Sequence, residues 1–308
     1  MVTKVANSND AAILVSVIVP TYRRKESLYR ALLSLTHQTY PNIEVIVVND
    51  NADRQWTAEV QQIIDQIQLS CPALQITHII NSSNMGSAQT RNTGIRAASG
   101  SYITFLDDDD VYLPDKVDRQ LHDMIAIGAD YGITDLRLYN AKEKLIDVRQ
   151  RTYIQATDGE SLLRYHMMYH MTGTDTLMFK KSYLETIGLF PPIDVGDEFY
   201  LIEKAILQCG VFRYSDHCHV KAYVHEEDQE GISLSERKII GENALYQAKK
   251  KYFPRFSRQD VRYIKVRHHM VIAFAQIRRK HWKSVLKHGA LALLISPVSA
   301  IRILITRS

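Results

Sequence analysis

Four consecutive carboxylates, Asp107-Asp108-Asp109-Asp110, are the sharpest chemical feature of this 308-residue chain. Adjacent carboxylates repel one another, so an ordered run of them needs something to offset the charge. A hard divalent cation with oxygen ligands does this. The structural alternative is a solvated acidic turn, or a helix N-terminus whose dipole favours anions. The run follows directly on the apolar segment YITFL, and a position at a strand's carboxyl end favours the cation. An EF-hand is excluded, because the sixth loop position is not Gly and the closing glutamate is missing. A second acidic pair, Asp197-Glu198, stands between Gly196 and Phe199. It offers either a general base or helix N-terminal charge.

The elements that must position these groups alternate regularly in the first third of the chain. Residues 15–20 (VSVIVP) and 44–48 (EVIVV) are continuous apolar runs, as strands buried on both faces require. Residues 74–80 and 102–106 read as two further strands. Between them, 27–38, 56–67 and 86–98 read as helices; Leu28, Ala31, Leu32 and Leu35 show the helical spacing. This rhythm predicts a mostly parallel, Rossmann-like α/β sheet with right-handed crossovers and helices on both faces. Ligands bind such sheets outside the carboxyl ends of the strands. That rule points to 21–24, 49–53, 81–86 and 107–110. Further on, 131–139, 144–149 and 176–180 read as strands, with 222–225 closing the sheet. Residues 158–169 and 197–208 read as helices. Ser233 and Glu236 make a capping box for a helix over 234–252, and two more helices are expected beyond Pro254.

Composition is that of a globular protein, with 45% hydrophobic and 23% charged residues. The polar segment 1–12 reads as a flexible leader without a signal peptide's apolar core. Cys71, Cys209 and Cys218 are too few for a disulfide framework, which points to a reducing compartment. Cys209, His217, Cys218 and His219 match no familiar zinc spacing. The net charge is +4 but unevenly placed: ten Lys/Arg stand against one acid, Asp260, between Phe253 and Lys287. GALALLISPVSAIRILI then follows, broken at Ser296-Pro297 and too short to span a bilayer. A basic amphipathic region of this kind suits an anionic membrane surface; the alternative is a helical cap packed on the catalytic domain. The stretch carries no recognised nucleic-acid module.

Five segments in order resemble the family 2 glycosyltransferases, which have the GT-A fold. They are VSVIVPTYRR, EVIVVNDNADR, NSSNMGSAQTRNTGI, GSYITFLDDDDVYLPDKV and VGDEFYL. Together the resemblance spans about 13–235. It implies a catalytic domain over those residues, divided into a nucleotide-binding half (13–110) and an acceptor-binding half (111–235), with a C-terminal helical region over 236–308. The implied reaction is inverting transfer of a sugar from a UDP-sugar to a hydroxyl of a glycan or lipid-linked acceptor. The implied setting is bacterial surface polysaccharide or glycolipid synthesis in the cytoplasm, on the inner face of the plasma membrane.

Roles carry over position by position. Pro20, Thr21 and Arg23 lie in the nucleotide loop. Asp50 would hydrogen-bond the uracil; the structural alternative is an Asx turn. In this stretch the chain has Asn49 where the family often has a second Asp, and Asn51-Ala52 where it often has Gly-Ser. Asn84 and Gly86 shape a loop before the Arg91 helix, and Arg91 would reach the uridine or its phosphates. Asp107 would approach the ribose, Asp108 and Asp110 orient the loop, and Asp109 ligate magnesium or manganese. His225 is a further metal or diphosphate contact. Glu198 is the general base when the pair is aligned on Phe199, and Asp197 when it slips by one. HEEDQEGISLS, which begins at His225, reads as a lid over the donor or a surface loop. Two rival functions remain. A nucleotidyltransferase is disfavoured because its usual Gly-rich loop is PTYRRKE here. A non-catalytic sugar-binding module is disfavoured by the presence of Arg91, Asp109 and Glu198 together. A dinucleotide oxidoreductase and a P-loop enzyme are excluded by their missing glycine motifs.

Overall fold

A computed structural model describes residues 13–193, 195–224 and 236–306. The first seven elements follow the sequence pattern: β1 (Val15–Thr21), α1 (Glu26–Thr36), β2 (Ile43–Asn49), α2 (Arg54–Ser70), β3 (Gln75–Ile80), α3 (Gly86–Ala97) and β4 (Tyr102–Phe105). Next come β5 (Val111–Tyr112), α4 (Lys116–Ala126), β6 (Tyr131–Thr134), β7 (Leu136–Asn140), β8 (Leu145–Arg149) and α5 (Gly159–Tyr169). These are followed by β9 (Leu177–Lys180), α6 (Lys181–Thr186), α7 (Asp197–Leu207), β10 (Phe212–Ser215) and β11 (Val220–Val224). The C-terminal helices are α8 (Glu236–Lys250), α9 (Arg258–Arg278), α10 (Trp282–Ile295) and α11 (Pro297–Thr306).

The main sheet runs β10-β6-β9-β4-β1-β2-β3, and β9 is antiparallel to both of its neighbours. Alternation along the central strands fills both faces. Val17, Val19, Val45 and Val47 pack with Leu28 and Leu32 of α1 and with Ile63 and Ile64 of α2. Ile18, Ile46 and Val48 face the other way, toward Ala88 and Ile95 of α3. Helix α3 lies very close to the sheet. A Cβ added at Gly94 would sit 2.5 Å from Ile18 Cγ2 and 3.1 Å from Val48 Cγ2.

The structure corrects four expectations. Residues 131–139 are not one strand, because β6 belongs to the main sheet and β7 to a second, four-stranded sheet ordered β5-β11-β7-β8. The chain leaves the first ladder at buried Asp135, whose carboxylate accepts from Arg151 N (2.9 Å) and Tyr214 Oη (3.0 Å). The strand expected at 222–225 is β11, and it joins the second sheet rather than the main one. Three helices follow Pro254 instead of two, because the chain breaks near Lys280 (φ 59°) and again at Ser296-Pro297. Four elements, β5, α4, α6 and β10, were not anticipated. The capping residue Ser233 lies outside the described residues, which resume with α8 at Glu236.

Helices α8 and α9 are packed on the core of the α/β domain. Leu245, Tyr252, Ile264, Val266 and Met270 join the same hydrophobic cluster as Phe199 of α7. Arg164 of α5 holds Asp260 of α9 through two bonds, of 2.9 and 2.7 Å. Helices α10 and α11 add Ala292, Ala300 and Ile303 to that cluster and expose other large apolar side chains. No helix among the described residues is long and apolar enough to cross a membrane.

The tight seat of α3 is testable. Gly94→Ala should destabilise the protein by about 1–3 kcal/mol in urea unfolding, because β-branched Ile18 in a buried strand has little room to move. A change within about 0.5 kcal/mol would show that the helix can lift at no cost.

Candidate functional site

The carboxyl ends of β1, β2 and β4, together with the starts of α3 and α7, converge on one edge of the main sheet. Two loops are tied together first. Arg23, in the left-handed backbone region (φ 51°), donates its N–H to Asn51 Oδ1 (2.7 Å). Asn51 in turn donates its backbone N–H and Nδ2 to Asn49 Oδ1 (3.0 and 2.7 Å). Ala52 also adopts φ 52°, a conformation glycine reaches at lower cost. Pro20 is the sixth residue of β1, pairing in register with Val48 just before the loop.

Asp50 is buried, with 4% exposure. Its Oδ1 accepts from Asn81 Nδ2 and Met85 N (both 2.8 Å), and its Oδ2 accepts from Gly86 N (2.9 Å). A carboxylate at the first N–H groups of α3 is favoured by the helix dipole. Asn84 Nδ2 reaches the Asp50 carbonyl at 3.4 Å, and Gly86 takes φ 77°. Asp50 thereby fixes the start of the helix that carries Arg91.

Arg91 is not a surface arginine; its side chain is 7% exposed. Its Nη2 donates to Asp107 Oδ1 at 2.6 Å and its Nη1 to Asp197 Oδ2 at 3.4 Å. Burial opposes the guanidinium charge, but Asp107, Asp197 and Glu198 outweigh it, and its pKa is raised. Burial pushes Asp197 up to about 6, against the pull of Arg91 and with the help of neighbouring Glu198.

The four aspartates divide the work. Asp108 turns inward, accepting from Thr21 Oγ1 (2.7 Å) and Tyr22 N (3.1 Å). Burial and the adjacent Asp109 push it up to about 7. Asp110 also turns inward and accepts from Tyr223 N (2.9 Å). Burial and mutual repulsion raise the pKa of Asp110 beside Asp175, a residue the sequence reading missed, and burial raises that of Asp175 too. Asp175 Oδ1 accepts from Asp107 N (2.6 Å). Beneath lies buried Lys116, donating to Thr104 Oγ1 and to Tyr112 Oη (2.8 Å). Asp107 and Asp109 keep 33% and 20% side-chain exposure, and Asp109 faces Arg24 at 3.3 Å.

This donor set suits a hard divalent cation, because the outward carboxylates supply oxygen ligands. Among the described residues no three His, Cys, Asp or Glu side chains form a closed cluster. His225 and the rest of the expected lid lie outside the described residues.

Glu198 is held on two sides. Oε2 accepts from Gly173 N (2.7 Å), and Oε1 accepts from Thr174 Oγ1. The turn that carries these donors begins at His170 (φ 58°). His170 Nε2 accepts from Lys249 Nζ of α8 at 2.5 Å, and Lys249 also lies 5.3 Å from the centre of the Phe199 ring. Sequence reasoning missed Lys249 and His170 as well. A lone Lys in an amphipathic helix carries no readable signal.

The model of the family described as glycosyl transferase family 2 matches residues 16–187. Among curated relatives, the Escherichia coli UDP-Glc:alpha-D-GlcNAc-diphosphoundecaprenol beta-1,3-glucosyltransferase WfaP is 37% identical over 198 residues, which is 64% of this chain and 72% of that protein. The Erwinia amylovora amylovoran biosynthesis glycosyltransferase AmsB is 37% identical over 107 residues, about a third of each chain. Two uncharacterized Haemophilus influenzae glycosyltransferases are matched over 33% and 42% of their own length. Among solved structures, the mannosyltransferase PcManGT from Pyrobaculum calidifontis, in complex with GDP-Man and Mn2+, superimposes with a TM-score of 0.62 at 17% identity, covering 94% of this chain and 86% of that one. S. aureus TarS 1–349 in complex with UDP-GlcNAc gives 0.59 at 15% identity, with 90% and 89% covered. Both likenesses show the fold, which is GT-A.

The buried Arg91–Asp197 pair predicts a pH signature. The folded pKa of Asp197, about 6, lies above that of an unfolded aspartate, so the native state takes up this proton first. The stabilisation from that proton grows as pH falls from about 6 toward about 4 and is absent above that window. Urea unfolding of wild type and Asp197→Asn across this range should show wild type gaining relative stability on acidification. A constant difference would mean that Asp197 titrates normally.

Proposed function

The chain belongs to glycosyl transferase family 2, and we propose that it transfers a sugar from a UDP-sugar to a hydroxyl of a glycan or lipid-linked acceptor, with inversion, in bacterial cell-surface polysaccharide or glycolipid synthesis. One observation carries this reading. Arg91 joins the acidic strand end to the residue beside Glu198, so a donor-binding edge and a candidate base share one site. The E. coli and E. amylovora relatives, one named as a UDP-Glc transferase and one as a polysaccharide-biosynthesis enzyme, support the donor class and the setting. Neither rival function has an observation in its favour.

In this reading Pro20, Thr21, Arg23 and Asn84 shape the nucleotide pocket, and Asp50 meets the uracil from beneath the Gly86 turn. Asp107 approaches the ribose. Arg91 sets the charge balance between donor and acceptor sides. Asp109 and His225 are the residues to hold magnesium or manganese. When bound, the cation neutralises charge building on the leaving diphosphate. Glu198 takes the proton of the acceptor hydroxyl as that oxygen attacks the anomeric carbon. Its two hydrogen bonds to the 173–174 turn fix the carboxylate in place. Asp197 is the lesser candidate for the base, because its carboxylate already faces Arg91.

The chain works at an anionic membrane surface, peripheral to the cytoplasmic face. Trp282, Leu286, Leu294, Val298 and Ile305 are between 61% and 82% exposed on α10 and α11. No acid follows Asp260 in the sequence, whereas Lys280, Lys283, Lys287 and Arg302 lie in or beside these helices. Apolar faces flanked by cations bind anionic headgroups.

Two outcomes are expected. Glu198→Gln should lower kcat by about 10²–10⁴, read as UDP release in the presence of acceptor. Full activity would remove Glu198 from the base role. The protein should also co-sediment with phosphatidylglycerol vesicles far more than with phosphatidylcholine ones, and lose that binding as salt rises. Equal binding to both lipids would discount the basic tail.

A further inference from the structure

Helix α8 lies along the segment that presents Glu198. Gly241, Leu245 and Lys249 recur every fourth residue and so share one face of the helix. This face meets positions 195, 196 and 199 in turn. A Cβ on Gly241 would overlap Val195, and one on Gly196 would come within 2.9 Å of Leu245 Cδ2. Lys249 Nζ lies 5.3 Å from the centre of the Phe199 ring. Further along, Tyr252 Oη donates to Glu203 Oε1 of α7 at 2.8 Å. Helix α8 is therefore seated against the residues on both sides of Glu198.

Lys249 adds a polar link to this seat. It is 5% exposed, and its Nζ donates to His170 Nε2 at 2.5 Å. Among the described residues this is its one hydrogen bond, because nearby Glu242 is paired with Lys238 at 2.9 Å. Burying an amine is unfavourable unless it is hydrogen-bonded, and here that requirement falls on His170. Burial lowers the Lys249 pKa, Arg267 lowers it further, and Glu242 pulls the other way. His170 ends α5 with φ 58° and ψ 93°, a sparsely populated conformation that persists only where its surroundings hold it. Three and four residues on, Gly173 N and Thr174 Oγ1 donate to Glu198. Two other side chains fix the middle of this turn. Buried His166 donates from Nε2 to the Phe199 carbonyl (2.9 Å) and accepts at Nδ1 from Met171 N (3.2 Å). Arg151 Nη2 donates to the Thr172 carbonyl at 2.6 Å. Of the side chains that hold the turn, Lys249 alone comes from the C-terminal helices.

We propose that Lys249 is a positioning residue for the transfer reaction, holding the 170–174 turn through His170 so that Gly173 and Thr174 keep Glu198 aimed at the acceptor hydroxyl. The assignment rests on the reading of Glu198 as the base. It places part of the machinery in α8, beyond the residues 16–187 that the family model matches.

Two variants break the link from opposite ends. Lys249→Met removes the amine and keeps an unbranched side chain against Phe199. His170→Asn withdraws the imidazole and keeps a residue type that tolerates positive φ. With UDP-glucose as the donor probe and an alkyl glucoside as the acceptor probe, each should lower kcat for UDP release about ten- to hundredfold. KM for UDP-glucose should stay within about twofold. In a Glu198→Gln background, Lys249→Met should lower kcat no further, since the carboxylate it positions is gone. Hydrogen exchange of the Gly173 and Thr174 amides should quicken about tenfold in Lys249→Met, with β1 and β2 unchanged. An unchanged kcat in both single variants, a loss carried by the donor's KM, or an equal loss in the Glu198→Gln background overturns the positioning role and leaves the transferase reading in place. Full activity of Glu198→Gln alone overturns the base reading and this role with it. If wild type releases no UDP from these probes, the exchange rates decide, and unchanged rates at 173–174 overturn the role.

Discussion

A buried guanidinium cannot stay charged without partners, and this site is organised around that constraint. Removing an arginine from water costs several kcal/mol unless anions and hydrogen bonds offset it. Arg91 meets the requirement with Asp107 from the end of β4 and Asp197 from the start of α7. Three elements far apart in sequence are thereby held in one arrangement: the helix that follows the nucleotide loop, the acidic strand end, and the helix that presents Glu198. The packing that brings Arg91 to this position is equally constrained. Gly94, three residues on along α3, allows the helix to lie almost on the sheet, and Asp50 pins the helix's first turn.

The short segment 170–176 is the second organising element. It gives Glu198 two hydrogen bonds through Gly173 and Thr174, and it gives Asp107 one through Asp175. Both carboxylates thus depend on the same turn. Its near end is fixed by Lys249 of α8 through His170. Burial lowers the pKa of both Lys249 and His170, as expected where an ammonium faces an imidazole rather than a carboxylate. The C-terminal region is therefore more than an appended cap. Its first helix reaches the turn that holds Glu198, and its last two helices present an apolar and basic surface outward.

Legibility in the sequence followed the range of the interactions. The strands of the nucleotide half are buried on both faces, so 15–20 and 44–48 read as continuous apolar runs and appeared where expected. The acidic run and Gly86 were legible because their meaning is local: a strand end, and a turn with positive φ. The break at Asp135 was not, because it depends on Arg151 and Tyr214, 16 and 79 residues away. Asp175, Lys116 and Lys249 were missed for the same reason. Each is a single polar residue whose partners come from other elements. The surface tail was read in two ways, as a core cap or a membrane face. The structure packs α8 and α9 on the core, while α10 and α11 bury Ala292, Ala300 and Ile303 in the same cluster and expose large apolar side chains on their other side.

The same distinction separates the four adjacent aspartates, which look equivalent in sequence. Asp108 is committed to Thr21 and Tyr22, and Asp110 to Tyr223 and Asp175, so neither can turn outward without breaking the loops that define the pocket. Asp107 is committed to Arg91. Asp109 differs in the nature of its ion pair with Arg24. Arg24 is a long side chain on a loop, 30% exposed. A pair of that kind is worth little in water. Of the four acids, Asp109 is the one paired with a partly exposed side chain, and it is the one we propose as the metal ligand.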